Sequence, residues 1–262
     1  YLGIDAGSTT VKAVLCDKNG NILKSSYSSN NGNSVPIVKS FLKEMYAEYP
    51  DINIVSSAVT GYGEDIIRNA FHIDNGVVET IAHYTAAEKF RKDVDFIIDI
   101  GGQDIKAISI DENGAVKNFL MNDKCAAGTG RFLEMMARTL GLSLEEMSTR
   151  GLEWKENVVI SSMCTVFAES EVVSLVAQNK DVADIIHGLN VSVASKVGAL
   201  AARLGKKNPG EYMMTGGVAK NKGIIQALEE KLGAKLYICD EAQLCGALGA
   251  ALFAYEKCNA AL

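Results

Sequence analysis

Ile4-Asp5-Ala6-Gly7-Ser8-Thr9-Thr10-Val11-Lys12-Ala13 and Ile98-Asp99-Ile100-Gly101-Gly102-Gln103-Asp104-Ile105-Lys106-Ala107 are two copies of one pattern, at a constant offset (98 − 4 = 94). The match continues without a gap to Asp17-Lys18-Asn19-Gly20 over Asp111-Glu112-Asn113-Gly114. Each copy reads as a strand, a glycine-containing turn, a second strand, and then a turn at Asn-Gly. Chance likeness of two hairpins is the plain alternative, but identities fall on turn residues as well as strand residues. Two supersecondary units of one design imply two lobes of one design.

Outward from the hairpins the chain alternates strand and helix. The patterns predict helices over 36–49, from Glu64 onward, and over 83–91, 129–140, 143–150, 166–179, 181–204, 222–232 and 246–255. Strands are expected over 52–60, 158–163, 212–214 and 235–239, and the strand leaving the second hairpin ends near Leu120. Interleaved strands and helices argue for α/β sheets with helices on both faces. No Pro/Gly/Ser-rich linker separates the halves, and the lobe boundary is expected near Asp93, giving 1–92 and 93–245.

The turn Gly7-Ser8-Thr9-Thr10 presents successive backbone N–H groups and three hydroxyls, a concave donor set that suits phosphate oxygens. Gly7 admits close backbone approach because it has no Cβ. Lys12 adds a positive charge. Asp5 ends its strand at the same turn, and a carboxylate beside phosphates calls for an intervening cation, so Asp5 and its counterpart Asp99 point to Mg²⁺ held partly through water. The second copy offers Gly101, Gly102 and Gln103, with Asp104 as the only candidate for a base. Met214-Thr215-Gly216-Gly217-Val218-Ala219-Lys220-Asn221 is a third element, a strand running through a glycine pair into a helix, suited to close approach of a flat ligand. Neither a P-loop pattern nor a G-x-G-x-x-G after the first strand is present.

The composition is ordinary for a globular chain, with 48% hydrophobic and 22% charged residues among 262. A formal net charge of −6 gives no general affinity for nucleic acid or an anionic membrane. No continuous run reaches the about 20 apolar residues that span a bilayer. The opening Tyr1-Leu2-Gly3-Ile4-Asp5 reads as a strand rather than a signal peptide, and a cytoplasmic location is expected.

The 6 cysteines are too sparse for a disulfide scaffold. Cys125, in Asn122-Asp123-Lys124-Cys125-Ala126-Ala127-Gly128-Thr129-Gly130, sits ahead of a helix that Thr129 or a neighbour caps. Cys164, in Met163-Cys164-Thr165-Val166-Phe167-Ala168-Glu169-Ser170-Glu171, also precedes a helix. Helix N-termini favour thiolates and thiolate-ligated clusters. The other reading is two small buried thiols. Two ligands per chain make four about a two-fold axis, the complement for [4Fe–4S]. Cys16, Cys239, Cys245 and Cys258 lie in strand, helix-start and terminal settings without such a pattern.

The phosphate turns and Thr215-Gly216-Gly217 resemble, in order, the phosphate-1, phosphate-2 and adenosine motifs of the actin, Hsp70 and sugar-kinase superfamily. The resemblance implies two ribonuclease-H-like lobes, ATP or ADP in the cleft, and a last helix, 246–262, crossing back to the first lobe. The cofactor contacts it implies are Gly7, Ser8, Thr9, Thr10, Lys12, Gly101, Gly102, Gln103, Gly128, Thr129, Gly216, Gly217 and Asn221. Asp5, Asp99, Gln103 and Asp104 stand in the catalytic positions.

The two cysteine segments resemble those of the 2-hydroxyacyl-CoA dehydratase activators, with the 2-hydroxyglutaryl-CoA type nearest, and of the related benzoyl-CoA reductase ATPase subunits. That resemblance implies a homodimer sharing one [4Fe–4S] cluster through Cys125 and Cys164 of each subunit. It further implies ATP hydrolysis coupled to one low-potential electron, a dehydratase as acceptor, a ferredoxin or flavodoxin as donor, and an anaerobic host. The alternatives are an ATPase subunit in a benzoyl-CoA reductase complex, a small-molecule kinase of the same fold, and a nucleotide-gated binding protein without redox chemistry.

Overall fold

Strand β1 (Leu2–Ala6) is buried throughout and pairs antiparallel with β2 (Thr10–Cys16), which pairs with β3 (Ile22–Ser29). On its other edge β1 pairs parallel with β4 (Ser57–Thr60), and β4 with β5 (Asn75–Gly76), so the sheet order is β3-β2-β1-β4-β5. The computed structural model describes residues 1–161, 164–205 and 211–260. They form two compact units, 1–94 with 239–260, and 95–238 less the undescribed positions.

In the first unit one sheet face packs on α1 (Ser34–Glu48) and α2 (Glu64–Phe71), with Val38, Phe41 and Met45 of α1 at helical spacing against Ile4, Val11 and Val59. Asn33 caps α1, its side chain accepting from the Val35 N–H at 3.2 Å. The other face carries α3 (Glu79–Phe90) and α9 (Cys245–Ala260), whose Ala247, Ala250, Ala251 and Ala254 are buried. The small residues are required by close approach: a Cβ at Gly3 would collide with the Ala247 carbonyl and the Ala251 N–H. The α9 helix runs past the expected 246–255 and includes Cys258.

The second unit repeats the plan. Strand β6 (Phe96–Ile100) pairs antiparallel with β7 (Ile105–Ile110), and β7 with β8 (Val116–Asn122). Strand β6 also pairs parallel with β9 (Tyr212–Thr215), and β9 with β10 (Leu236–Tyr237), giving the order β10-β9-β6-β7-β8. The likeness extends to irregularities. Each hairpin shifts register, at Leu15/Cys16 and at Ser109/Ile110, and these positions are again 94 apart (109 − 15 = 94). In each second turn an Asp carboxylate oxygen accepts two N–H bonds: Asp17 from Asn19 and Asn21, and Asp111 from Asn113 and Ala115.

The remaining helices of this unit are α4 (Gly130–Leu140), α5 (Leu144–Arg150), α6 (Thr165–Ala177), α7 (Val182–Arg203) and α8 (Lys222–Leu232). Helix α7 is long and apolar enough to cross a bilayer by length and composition alone, yet most of it is buried in this unit.

Four expectations are corrected. The strand predicted over 158–163 is absent over 158–161, and 162–163 lie outside the described residues. Val158 and Ile160 are buried while Val159 is exposed, the alternation of an extended segment, but it lies on α7 at Gly188 and not on a strand edge. Of 52–60 only Ser57–Thr60 pairs, and of 235–239 only Leu236–Tyr237. The helix expected from 83 begins at Glu79, four residues early.

Candidate nucleotide and cysteine sites

At the end of β1, Asp5 is buried and receives the Lys12 ammonium on Oδ2 at 2.9 Å, across the hairpin pair Asp5↔Lys12. The turn is braced by Asn30, whose side-chain N–H donates to the Gly7 carbonyl at 2.8 Å and whose backbone N–H donates to the Thr9 carbonyl at 3.0 Å. Gly7, Ser8, Thr9 and Thr10 are half-buried around that turn. A Cβ at Gly246, the second residue of α9, would lie 2.7 Å from Asp5 Oδ2, so only glycine leaves the carboxylate its position.

The second hairpin has the same Asp–Lys pair in register, Asp99↔Lys106, with a different outcome. Asp104, where the first copy has Thr10, takes the Lys106 ammonium at 2.7 Å and leaves Asp99 at 3.6 Å. All three side chains are at most 8% exposed. Asp99 Oδ1 instead accepts from the Thr215 hydroxyl at 2.9 Å. Asp104 thus serves as a counter-ion, an arrangement that competes with a role as base. Gln103 is exposed beside the half-buried Gly101 and Gly102.

Thr215 leads into Gly216, at φ 89°, where a Cβ would lie 2.8 Å from Asp99 Oδ1 and would strike the Ile100 carbonyl. Gly217 opens a 3-10 turn, and Asn221 caps α8 with its side-chain oxygen accepting from the Ile224 N–H at 3.0 Å. Asn221, one of the expected cofactor contacts, thus has its side-chain oxygen engaged in the cap.

Cys125 and Cys164 are both exposed, in contrast to the buried-thiol reading. Cys164 occupies the N-cap position of α6. Cys125 lies four residues before Thr129, the N-cap of α4, whose hydroxyl donates back to the Ala126 carbonyl at 2.6 Å and does not cap the helix with its side chain. The start of α4 rests on the turn between β6 and β7: the Gly130 and Arg131 N–H groups donate to the Gly101 and Gly102 carbonyls, each at 2.9 Å. Gly128 is buried, at φ 92°, against Ile105 and Lys196.

Lys196 of α7 has its ammonium 5.6 Å from the centroid of the Phe132 ring. Burial pulls that ammonium below the ordinary lysine range, while the Cys125 and Cys164 thiols both act to raise it. Cys239 and Cys245 are buried with their sulfurs 3.8 Å apart. No group of three or more His, Cys, Asp or Glu is placed to hold a metal ion among the described residues.

The sequence pattern of the BadF/BadG/BcrA/BcrD ATPase family matches residues 2–254. The chain belongs to that family. Among curated members of this ATPase family and their relatives, it is 42% identical over 259 residues to the (R)-2-hydroxyglutaryl-CoA dehydratase activating ATPase of Acidaminococcus fermentans, covering 98% of this chain and 97% of that one. It is 39% identical over 258 residues to the 2-hydroxyisocaproyl-CoA dehydratase activator of Clostridioides difficile, covering 98% and 95%. It is 30% identical over 273 residues to one subunit of the benzoyl-CoA reductase of Thauera aromatica, covering 97% and 94%. The solved structure of the C. difficile activator with bound ADPNP superimposes with a TM-score of 0.90 over 99% of this chain and 96% of that one, at 38% identity.

The actin-like α/β fold expected from the two hairpins is thus borne out, and the family makes the chain an ATPase. What sequence reasoning missed in this BadF/BadG/BcrA/BcrD ATPase is the partner of each aspartate. Thr60-Gly61 ends β4 as Thr215-Gly216 ends β9, and Gly61, at φ 95°, would place a Cβ 3.0 Å from Asp5 Oδ1. The repeated Thr-Gly after each parallel strand was the available signal. Lys196 left no signal, because it lies mid-helix in a long apolar stretch.

Proposed function

We propose that this ATPase is the activator, an ATP-dependent one-electron donor, of a 2-hydroxyacyl-CoA dehydratase, with the 2-hydroxyglutaryl-CoA type favoured by the 42% identity. The observation that carries the proposal is the pair of 2.9 Å bonds from the Gly130 and Arg131 N–H groups to the Gly101 and Gly102 carbonyls. Through them a phosphate turn and the helix behind Cys125 move together.

In this reading Gly7, Ser8, Thr9, Thr10 and Lys12 hold phosphate oxygens from one hairpin, and Gly101, Gly102 and Gln103 from the other. Gly216 and Gly217 lie along the adenosine. Asp5 and Asp99 fit water-mediated Mg²⁺, being oxygen donors at the ends of the two central strands. Occupancy of the second turn displaces the start of α4, and Cys125 with it.

Cys125 and Cys164 fit a thiolate-ligated cluster: both are exposed, Cys164 at the N-cap of α6 and Cys125 four residues before the N-cap of α4. Two thiols per chain call for a second copy. Helix α6 supports this, because Val166, Phe167, Val173 and Val176 leave an apolar face exposed. A [4Fe–4S] cluster, when bound, supplies a low-potential one-electron carrier. The homodimer would work in the cytoplasm of an anaerobe, taking electrons from a ferredoxin or flavodoxin and passing them to the dehydratase. The benzoyl-CoA reductase reading is weakened by the lower identity, 30%.

The test is strictly anaerobic purification with iron and sulfide analysis, gel filtration, and reduction of a dehydratase component with and without ATP. A brown dimer that activates the dehydratase only with ATP is expected. Iron-free protein, or electron transfer equally fast without ATP, overturns the proposal.

A further inference from the structure

The two aspartates that end the central strands are held differently. Asp99 has the Thr215 hydroxyl on Oδ1 at 2.9 Å, and its lysine has turned to Asp104. Asp5 has no second carboxylate near its lysine in the equivalent place, position 10 being threonine, and Lys12 sits on Oδ2 at 2.9 Å. The residue equivalent to Thr215 is Thr60. Parallel pairing sets Asp5 opposite Thr60 as it sets Asp99 opposite Thr215, so each threonine projects on the same sheet face as its aspartate. Thr60 is 1% exposed, yet its hydroxyl has no hydrogen-bond partner among the described residues. A buried, unbonded hydroxyl is costly, and valine would fill the same space without that cost. Retaining threonine there needs a state in which the hydroxyl is bonded.

We propose that Thr60 is a positioning residue for Asp5, its hydroxyl donating to the Asp5 carboxylate in the nucleotide-bound state, once Lys12 has left it for a phosphate oxygen. Thr215 already makes the equivalent bond to Asp99, and Gly61 keeps the space beside Asp5 Oδ1 clear. Lys12 alternates between carboxylate and phosphate, and Thr60 keeps Asp5 oriented while the lysine is away. The inference rests on the reading of the first turn as a phosphate site.

The experiment compares wild type, Thr60→Val, Thr60→Ser and Thr215→Val in the full chain. Thermal stability is measured without nucleotide, Mg-ADPNP affinity by calorimetry, and ATP turnover as kcat and KM. Thr60→Val is expected to be at least as stable as wild type without nucleotide, while Thr215→Val is less stable because Asp99 loses its donor. Thr60→Val is then expected to bind Mg-ADPNP about tenfold more weakly, the scale of one hydrogen bond to a charged group, with Thr60→Ser close to wild type. Unchanged affinity in Thr60→Val overturns the proposal. So does loss of stability or folding in that variant without nucleotide, since it would show that the hydroxyl is already bonded. Wild-type protein that binds no Mg-ADPNP refutes the underlying phosphate site instead.

Discussion

Lys106→Met removes the positive charge held between Asp99 and Asp104. The ammonium is 2.7 Å from Asp104 Oδ2 and 3.6 Å from Asp99 Oδ2, and all three side chains are at most 8% exposed. Breaking a buried pair from one side leaves an uncompensated buried charge and costs about 3–5 kcal/mol. In a chain of this size each kcal/mol lowers the melting temperature by about 2–4 °C, so a fall of roughly 6–20 °C is expected. Lys12→Met in the other hairpin is the internal control. Its pair is more exposed, 14% and 11%, and has one carboxylate in place of two. Its loss is expected to stay within about 1.5–3 kcal/mol, the range for a charged hydrogen bond. The assay is thermal unfolding followed by circular dichroism without nucleotide, with a Lys106→Met/Asp104→Leu double variant. Removing one of the stranded carboxylates should recover part of the loss, because contacting residues are not additive. A Lys106→Met protein as stable as Lys12→Met, or a double variant less stable than the single one, would refute the reasoning.

Asp5→Ala and Asp99→Ala should each weaken Mg-nucleotide binding or abolish ATP turnover, and two variants with normal ATPase activity would dismiss the carboxylate assignment. Cys125→Ser and Cys164→Ser should each lose iron and weaken the dimer, while Cys258→Ser on α9 should lose neither, as read by iron analysis and gel filtration. His187 stacks on Trp154 at 3.9 Å, and burial holds its imidazole below the ordinary value. The unfolded chain therefore binds that proton first as the pH falls, so the stabilisation is present above about pH 6.5 and is lost on acidification through that point. Wild type should lose melting temperature between about pH 7 and 5.5 more steeply than His187→Gln, with fluorescence of Trp154, the sole tryptophan, following the same transition. Identical slopes in the two proteins would exclude His187 as the source.

Much of the fold was legible because it is local. Each hairpin closes over a few residues, and its alternation, its Asn-Gly turn and its Asp–Lys pair stand in one short stretch, so the duplication at offset 94 (98 − 4) could be read directly. The helices declared themselves by apolar spacing, and the cysteine segments by their place ahead of helices and by their resemblance to the dehydratase activators. The sequence by itself thereby determined the α/β class, the two duplicated hairpin turns and the two cysteines worth testing. It did not determine what holds the aspartates. Asp99 meets Thr215 across 116 residues, because β6 and β9 pair in parallel and no local pattern encodes that register. The same long-range pairing sets Thr60 beside Asp5. Val158 and Ile160 look like a strand in isolation, since alternation specifies an extended chain and says nothing of whether an edge awaits it. Lys196 is one polar residue in an apolar helix until the fold sets its ammonium 5.6 Å from the centroid of the Phe132 ring of α4. Local periodicity decides which elements form, and the side chains that meet at a site are decided by which elements pack together.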